Sequence, residues 1–278
     1  MPKNEFRILN PRLDVNFKAI FTQNSKDSRF ALKSFLMAAI GRKIKKVTVI
    51  ENENPKQFDL QRGISYDINC IFEDDSCAQI EMQGFENSHL RDGVALTKFL
   101  CWLDYNWQDK TELDVCVKLY EFRRQQQYFF SLSFGTIAAF GTNAAIVHYS
   151  PTDATNKKLE AGNVLLLDSG GQYFDGTTDV TRTVPIGNVN NPDIIKSFTL
   201  VLKAHIAMAT TIFPLGAKDN VLDCIARREL WKYGLEYKHG SGHGVGHFSG
   251  VHEMPPSLSE SGSGVFAPDM VLSIEPGY

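Results

Sequence analysis

Four of the chain's seven histidines, His239, His243, His247 and His252, fall in one run, KHGSGHGVGHFSGVHE at 238–253. Neutral imidazole is a common metal ligand, and an H-x3-H spacing binds zinc when a helix carries it. Here Gly240, Gly242, Gly244, Gly246 and Gly250 interrupt the run, and each glycine costs a helix about 1 kcal/mol relative to alanine. An extended segment also turns His239, His243 and His247 to one side, because positions of equal parity share a face of a strand. On these residues alone, a glycine-rich surface coil stands beside the metal site as an alternative.

Carboxylates offer a second candidate in LLLDSGGQYFDGTTDVTRT at 165–183. Two β-like arms flank Asp175-Gly176, which predicts a two-residue hairpin turn. That turn sets Gln172 opposite Asp179 and puts Asp168 and Asp179 on one face of the sheet. A bulge at Gly170-Gly171 would alter the register. Two carboxylates on one face repel unless a cation lies between them or one holds a proton. The alternative is a hairpin with two solvated aspartates. Glu275 in SIEPGY ends a β-like run ahead of Pro276-Gly277, and taken alone it reads as an ordinary strand-end glutamate.

Positioning these side chains requires a mixed architecture. Apolar spacing predicts a helix from Asp27 that stops at Gly41, then strands at 47–50, 66–72 and 78–82 with Glu73-Asp74-Asp75-Ser76 as a hairpin loop. Helices are expected over 87–107 and from Glu112 to Phe130, followed by strands at 137–140, 144–149 and 163–170. Asn191 and Pro192 form a helix start that should run to about Ile212, and Asp219 is expected to cap a helix ending near Gly234. A last strand is expected at 270–275. Helices mixed with hairpins give an α+β class.

Composition narrows the partners. The chain has 278 residues, 43% hydrophobic, with a net charge of −3, enough apolar material for a core and no general attraction to nucleic acid or membrane. The basic run Arg42 to Lys46 reads as a solvated face. Cys70, Cys77, Cys101, Cys116 and Cys224 include no C-x2-C pair, so neither a zinc ribbon nor a redox motif is expected. A charged start, MPKNEFRILN, and the lack of any apolar run near ~18 residues predict a cytoplasmic protein with reduced thiols.

Four segments, LSFGTIAAFGTNAAIVHYSP, LLLDSGGQYFDGTTDVTRT, HGSGHGVGHFSGVHE and SIEPGY, occur in the order and approximate spacing of one family. From about Asn87 onward the chain resembles the Xaa-Pro aminopeptidases, the aminopeptidase P enzymes with the pita-bread (creatinase/aminopeptidase-like) metallopeptidase fold. The resemblance implies a two-metal site in which Asp168 chelates one ion, Asp179 bridges both, and His243 and Glu275 bind the second. It also implies that His148 and His252 contact the scissile peptide and that His239 lines the substrate pocket, with His247 matching no functional position. Mn²⁺ suits hard carboxylates with one imidazole, with Co²⁺ or Zn²⁺ as substitutes, and the partner is a peptide with proline at its second position. The family's fifth ligand, a bridging glutamate, lies downstream of SIEPGY, and the sequence ends at Tyr278. The expectation is therefore an incomplete pita-bread domain, truncated at its C-terminus, holding one ion more readily than two and impaired in turnover.

Residues 8–83 carry a different likeness. LNPRLDVNFKAIF and YDINCIFEDDSCAQIEMQ resemble the PD-(D/E)XK nuclease family of transposase-like proteins, which implies a small α/β fragment with Asp67 and Glu81 as Mg²⁺-binding carboxylates and Gln83 in the place of the motif's lysine. A hairpin centred on Asp74 would set Asp67 opposite Glu81. The two likenesses predict two domains, 1–84 and 85–278. The expected function is a metal-dependent aminopeptidase-like protein, with an inert fusion remnant or a transposase-derived nuclease or DNA-binding module as alternatives.

Overall fold

The computed structural model describes residues 26–40, 43–52, 65–72, 77–248, 250–267 and 270–278. The chain divides into two compact units, Met1–Gly84 and Phe85–Tyr278.

In the first unit, helix α1 (Lys26–Ile40) precedes three antiparallel strands in the order β1-β2-β3: Ile44–Asn52, Ser65–Phe72 and Cys77–Gln79. The strands expected at 47–50 and 66–72 are present, and the loop expected at 73–76, between 66–72 and the next strand, lies outside the described residues. The β2–β3 register pairs Asn69 with Gln79 and Ile71 with Cys77, so an extended β3 would indeed bring Glu81 opposite Asp67. It does not extend. Helix α2 (Ile80–Asn106) begins at once, which places Glu81 and Gln83 in its first turn and corrects the expected strand at 78–82. Glu, Met and Gln are good helix formers, and each residue added to an established helix gains a hydrogen bond, whereas two more alternating residues would only lengthen a short strand.

The second unit is built on a three-stranded antiparallel sheet, β5-β6-β9, comprising Ile137–Phe140, Asn163–Ser169 and Val180–Ile186. Leu165 and Leu167 of β6 point into a core with Phe99 and Leu103 of α2 and Val115 and Leu119 of helix α3 (Glu112–Arg123). Helix α3 starts with a capping box, in which Thr111 and Asp114 exchange side chain–backbone bonds. It ends well before the expected Phe130, because Phe129 and Phe130 join strand β4 (Phe129–Leu132), which pairs with β7 (Gly171–Tyr173). At its C-terminal end Arg123 is fully buried against Asp92, with two bonds of 2.7 and 2.9 Å.

The strand expected at 144–149 is absent. Instead, a 3-10 turn covers Gly141–Ala145, and Gly141 turns the chain there with φ 56°, a value that disfavours a side chain. A second core joins helices α4 (Pro192–Ala209) and α5 (Asn220–Trp231) through Ala204, Met208, Leu222, Ala226 and Leu230, closed by Leu258 and Phe266. Asn191 caps α4 as the sequence indicates, accepting from Asp193 N at 2.9 Å. Asp219 does not cap α5 through its side chain. Its Oδ2 accepts from the backbone of Ser257 (2.8 Å) and Gly264 (3.1 Å), and so ties down the segment that follows the glycine-rich run.

Candidate metal centre

The hairpin that carries Asp168 and Asp179 turns one residue earlier than its sequence suggests. Strand β7 pairs with β8 (Gly176–Thr177) as Tyr173↔Gly176 and Gln172↔Thr177, so the turn is Phe174-Asp175 and Gln172 faces Thr177 rather than Asp179. The same register continues through β6 and β9, with Asp168 opposite Thr181 and Ser169 opposite Val180. Moving the turn by one residue changes the pairing by two positions. An even change keeps every side chain on its face, so Asp168, Thr181 and Asp179 share a face after all.

Gly170 makes this possible, since a Cβ there would lie 1.9 Å from the Thr178 carbonyl oxygen. The two arms approach too closely for any side chain.

His243 arrives from a separate two-stranded sheet, in which β10 (Gly242–Gly244) pairs with β11 (Glu253–Leu258). The expected strand at 270–275 is not a regular strand, but it lies along the other edge of β10. Ser273 N donates to His243 O at 2.8 Å and Glu275 N to Ser241 O at 2.9 Å. Gly242 is required at this junction: its φ is 155°, and a Cβ would meet the Ser273 carbonyl oxygen at 2.2 Å. Ser273, which sequence reasoning passed over, serves both neighbours. Its hydroxyl accepts from His243 N (2.9 Å) and donates to Glu275 Oε1 (2.8 Å). The position two residues before Glu275, on the same face of an extended run, is the signal that could have identified it.

The two halves meet at His243. Its Nε2 lies 3.3 Å from Asp179 Oδ2 and 3.0 Å from Glu275 Oε1, while Nδ1 faces the Gly244 carbonyl at 2.9 Å. Burial lowers its affinity for a proton, but the bonds to Asp179, Glu275 and Gly244 outweigh this and push its pKa up to about 10. Asp168 is pushed up to about 7, mainly by burial; Thr181 and His243 oppose the shift, and the charges of Asp179 and Glu275 add to it. Burial also raises Glu275, yet His243 and Ser273 leave it below the usual carboxylate range. Four side chains from three sequence segments thus form one electrostatic cluster.

Among the described residues, no three His, Cys, Asp or Glu side chains surround a common point as a ready-made cage. The imidazole donates straight into the carboxylates, so its positive charge is the one they share. The donor set nonetheless fits a divalent ion. Ligands bound at about 2.1 Å to one ion stand roughly 3 Å apart, and the two contacts of His243 Nε2 have that separation. Asp168 Oδ1 is buried with no hydrogen-bond partner, an arrangement that costs free energy unless a cation or donor meets it.

His252 packs its ring against His243, with centroids 4.2 Å apart. Burial and the His243 charge lower its proton affinity, with His148 contributing in the same direction. His148 therefore belongs to the same neighbourhood, and it is one of four non-glycine residues at positive φ among the described residues, at 56°. His239 stacks on Tyr237 at 4.9 Å, abuts Gly277, and lowers the Glu275 pKa through its charge. His247 is apart from this group. It lies in a turn rather than on the extended segment expected for 239–247, with its ring edge-on to Phe85 at 6.1 Å and its Nδ1 sealed from solvent.

A buried ion pair compensates for the lack of regular structure in the glycine-rich run. Arg227 of α5 bonds Asp223 (2.7 Å), Glu236 (2.7 Å) and the carbonyls of Tyr237 (2.7 Å) and His239 (2.8 Å), while Ser241 donates to Asp223 at 2.6 Å. No motif in the sequence announces this clamp. The three residues of the nuclease-like expectation are placed by backbone alone: Asp67 stands on β2 opposite Ile50, and Glu81 and Gln83 are helical rather than facing it across a hairpin.

Comparison with known proteins agrees on both parts of the chain. The model of metallopeptidase family M24 matches residues 83–278, and that of the PD-(D/E)XK nuclease family transposase matches residues 11–94. The chain is 45% identical over 207 residues to a probable Xaa-Pro aminopeptidase P of Metarhizium acridum, covering 72% of this chain and 33% of that protein. Among solved structures it is similar to an X-prolyl aminopeptidase of Caenorhabditis elegans, described as a cytosolic enzyme with a di-nuclear active site (TM-score 0.67, 46% identity, 70% of this chain and 32% of that one). A prolidase of Pyrococcus furiosus gives a TM-score of 0.63 at 26% identity, covering 71% of this chain and 56% of that one. The chain spans about a third of the length of the curated relatives it matches.

Proposed function

Because the chain belongs to metallopeptidase family M24, we propose that it binds divalent metal through Asp168, Asp179, His243 and Glu275 and releases an N-terminal residue that precedes proline. The observation that carries this reading is His243 Nε2 within 3.3 Å of Asp179 and 3.0 Å of Glu275, beside the orphaned oxygen of Asp168. Three hard carboxylates and one imidazole suit Mn²⁺, with Co²⁺ or Zn²⁺ able to replace it. Bound metal would supply Lewis acidity and an activated water. Asp179, His243 and Glu275 converge closely enough to share one ion, and Asp168 stands beside Asp179, where the two aspartates could hold another.

The other residues act on the peptide. His252, which packs on His243, and His148, whose charge acts on His252, are both exposed and would donate hydrogen bonds to the scissile carbonyl and hold its developing negative charge. His239, fixed by Tyr237 and the clamp from Arg227, would line the pocket for the substrate's end. Cys101, Cys116 and Cys224 are free thiols, and none of the described helices is long and apolar enough to cross a membrane.

The test is to count bound Mn²⁺ per chain and to assay an Xaa-Pro peptide beside the same peptide with alanine in place of proline. Metal uptake with proline-dependent release, both lost in His243→Ala, supports the proposal. A folded protein that takes up no metal sinks it.

A further inference from the structure

We propose that Glu112, a buried carboxylate outside the metal cluster, is the positioning residue that holds His148 in its working conformation. The inference rests on the assignment of His148 to the peptide side of the site.

Glu112 is the first residue of α3 and is fully buried. A helix start favours a carboxylate, but the helix is not what this one serves. Its Oε1 accepts from Phe140 N (2.6 Å) and Asn143 Nδ2 (2.9 Å), and its Oε2 accepts from the Tyr149 hydroxyl (2.8 Å) and Lys157 N (3.0 Å). All four partners belong to the segment 140–157. Phe140 ends strand β5, and Asn143 and Tyr149 bracket the tip that carries His148. Lys157 lies where the chain returns, and its own carbonyl accepts from Glu112 N at 3.0 Å.

The tip needs such an anchor. Ile146 and Val147 are each 53% exposed, so the tip gains little from burial. His148 sits at φ 56°, a region that a residue with a side chain occupies only when its surroundings impose it. Immediately after it the Tyr149 ring is buried and its hydroxyl reaches Glu112, with Asn143 and Thr155 completing the hydroxyl's shell. Consecutive turns, Ile146 N to Asn143 O (3.0 Å) and Tyr149 N to Ile146 O (3.1 Å), pass that anchorage along the tip. Glu112 thus grips both ends of the segment without touching the imidazole.

The experiment uses the full, manganese-loaded chain with Glu112→Gln, Tyr149→Phe, His148→Ala and the double variant Tyr149→Phe/His148→Ala. Tyr149→Phe keeps the buried ring and removes only the hydroxyl, with its bonds to Glu112, Asn143 and Thr155, so it carries the test should Glu112→Gln not fold. Its kcat/KM on an Xaa-Pro peptide should fall about tenfold, the size of one lost hydrogen bond, with metal affinity unchanged. It should cause no further fall once His148 is alanine, as expected for residues acting as one unit. The His148 imidazole resonance, read by NMR on the metal-free chain without substrate because manganese would broaden it, should shift and broaden further in both Tyr149→Phe and Glu112→Gln. An unmoved resonance, an unchanged rate, or an equal loss of rate in the His148→Ala background would overturn the proposal. A wild-type chain that turns over no Xaa-Pro peptide would sink the peptidase reading instead, and the resonance would still decide the role of Glu112.

Discussion

His243 Nε2 lies 3.0 Å from Glu275 Oε1, and the Ser273 hydroxyl spans the same two residues from behind, accepting from the His243 backbone and donating to the Glu275 carboxylate. Segments far apart in the chain are thereby held at metal-sharing distance by a link that needs no metal. The site's stiffness comes from this bond and from the β10 edge, and each element can be tested separately.

Removing the imidazole should abolish tight binding. His243→Ala is expected to weaken Mn²⁺ affinity by more than about 100-fold, and Ser273→Ala by roughly 10–100-fold, the range for a group that orients ligands without touching the ion. Titration calorimetry measures both, and equal affinities across the three proteins would remove His243 from the centre.

Gly170→Ala should damage the site without altering any ligand. The new Cβ would lie 1.9 Å from the Thr178 carbonyl oxygen, so the arms carrying Asp168 and Asp179 must part. A loss of about 1–3 kcal/mol in urea unfolding, together with weaker Mn²⁺ binding, is expected. An alanine variant with wild-type stability would show that the arms tolerate separation.

Arg227 should matter to stability before it matters to chemistry. It pairs with buried Asp223 and holds the carbonyls of Tyr237 and His239. Arg227→Ala strands a buried carboxylate, at a cost of about 3–5 kcal/mol. Arg227→Lys restores the charge but not the fork, so it should recover part of the stability and still raise KM for peptide more than it lowers kcat.

His247 makes acid stability pH-dependent. Burial holds its pKa down to about 4 against an ordinary 6.5, with the charge of Asp175 opposing the shift. Between those values the unfolded chain binds the proton and the folded one does not, so stability rises with pH across this window and is lost as pH falls through it. The effect should be on the order of 2 kcal/mol, allowing for the part of the residue that solvent reaches. The wild type should lose that much more stability than His247→Phe between pH 7 and pH 4, measured by denaturant unfolding. Parallel pH profiles for the two proteins would refute the assignment.

Much of the architecture is legible in local pattern. The helix starting at Asn191-Pro192 and the strands at 137–140 and 163–169 follow from capping chemistry and apolar alternation, which act within a few residues. Expectations failed where a distant group outcompeted local preference. The run AAIVHY reads as a strand, yet Glu112 binds Asn143 and Tyr149 and bends it into a turn. Asp219 reads as a cap, yet its carboxylate is used by Ser257 and Gly264.

The candidate site divides in the same way. The types and order of Asp168, Asp179, His243 and Glu275 are properties of the sequence, and so is the shared face of the two aspartates, because a hairpin shifted by an even number of positions preserves parity. The tertiary structure alone decided that His243 meets both Asp179 and Glu275, that His247 does not join them, and that Glu112, Ser273 and Arg227 support the arrangement. Local spacing sets which way a side chain points along its own strand. Which strands come together depends on the burial of whole faces and on buried polar groups finding partners elsewhere in the chain.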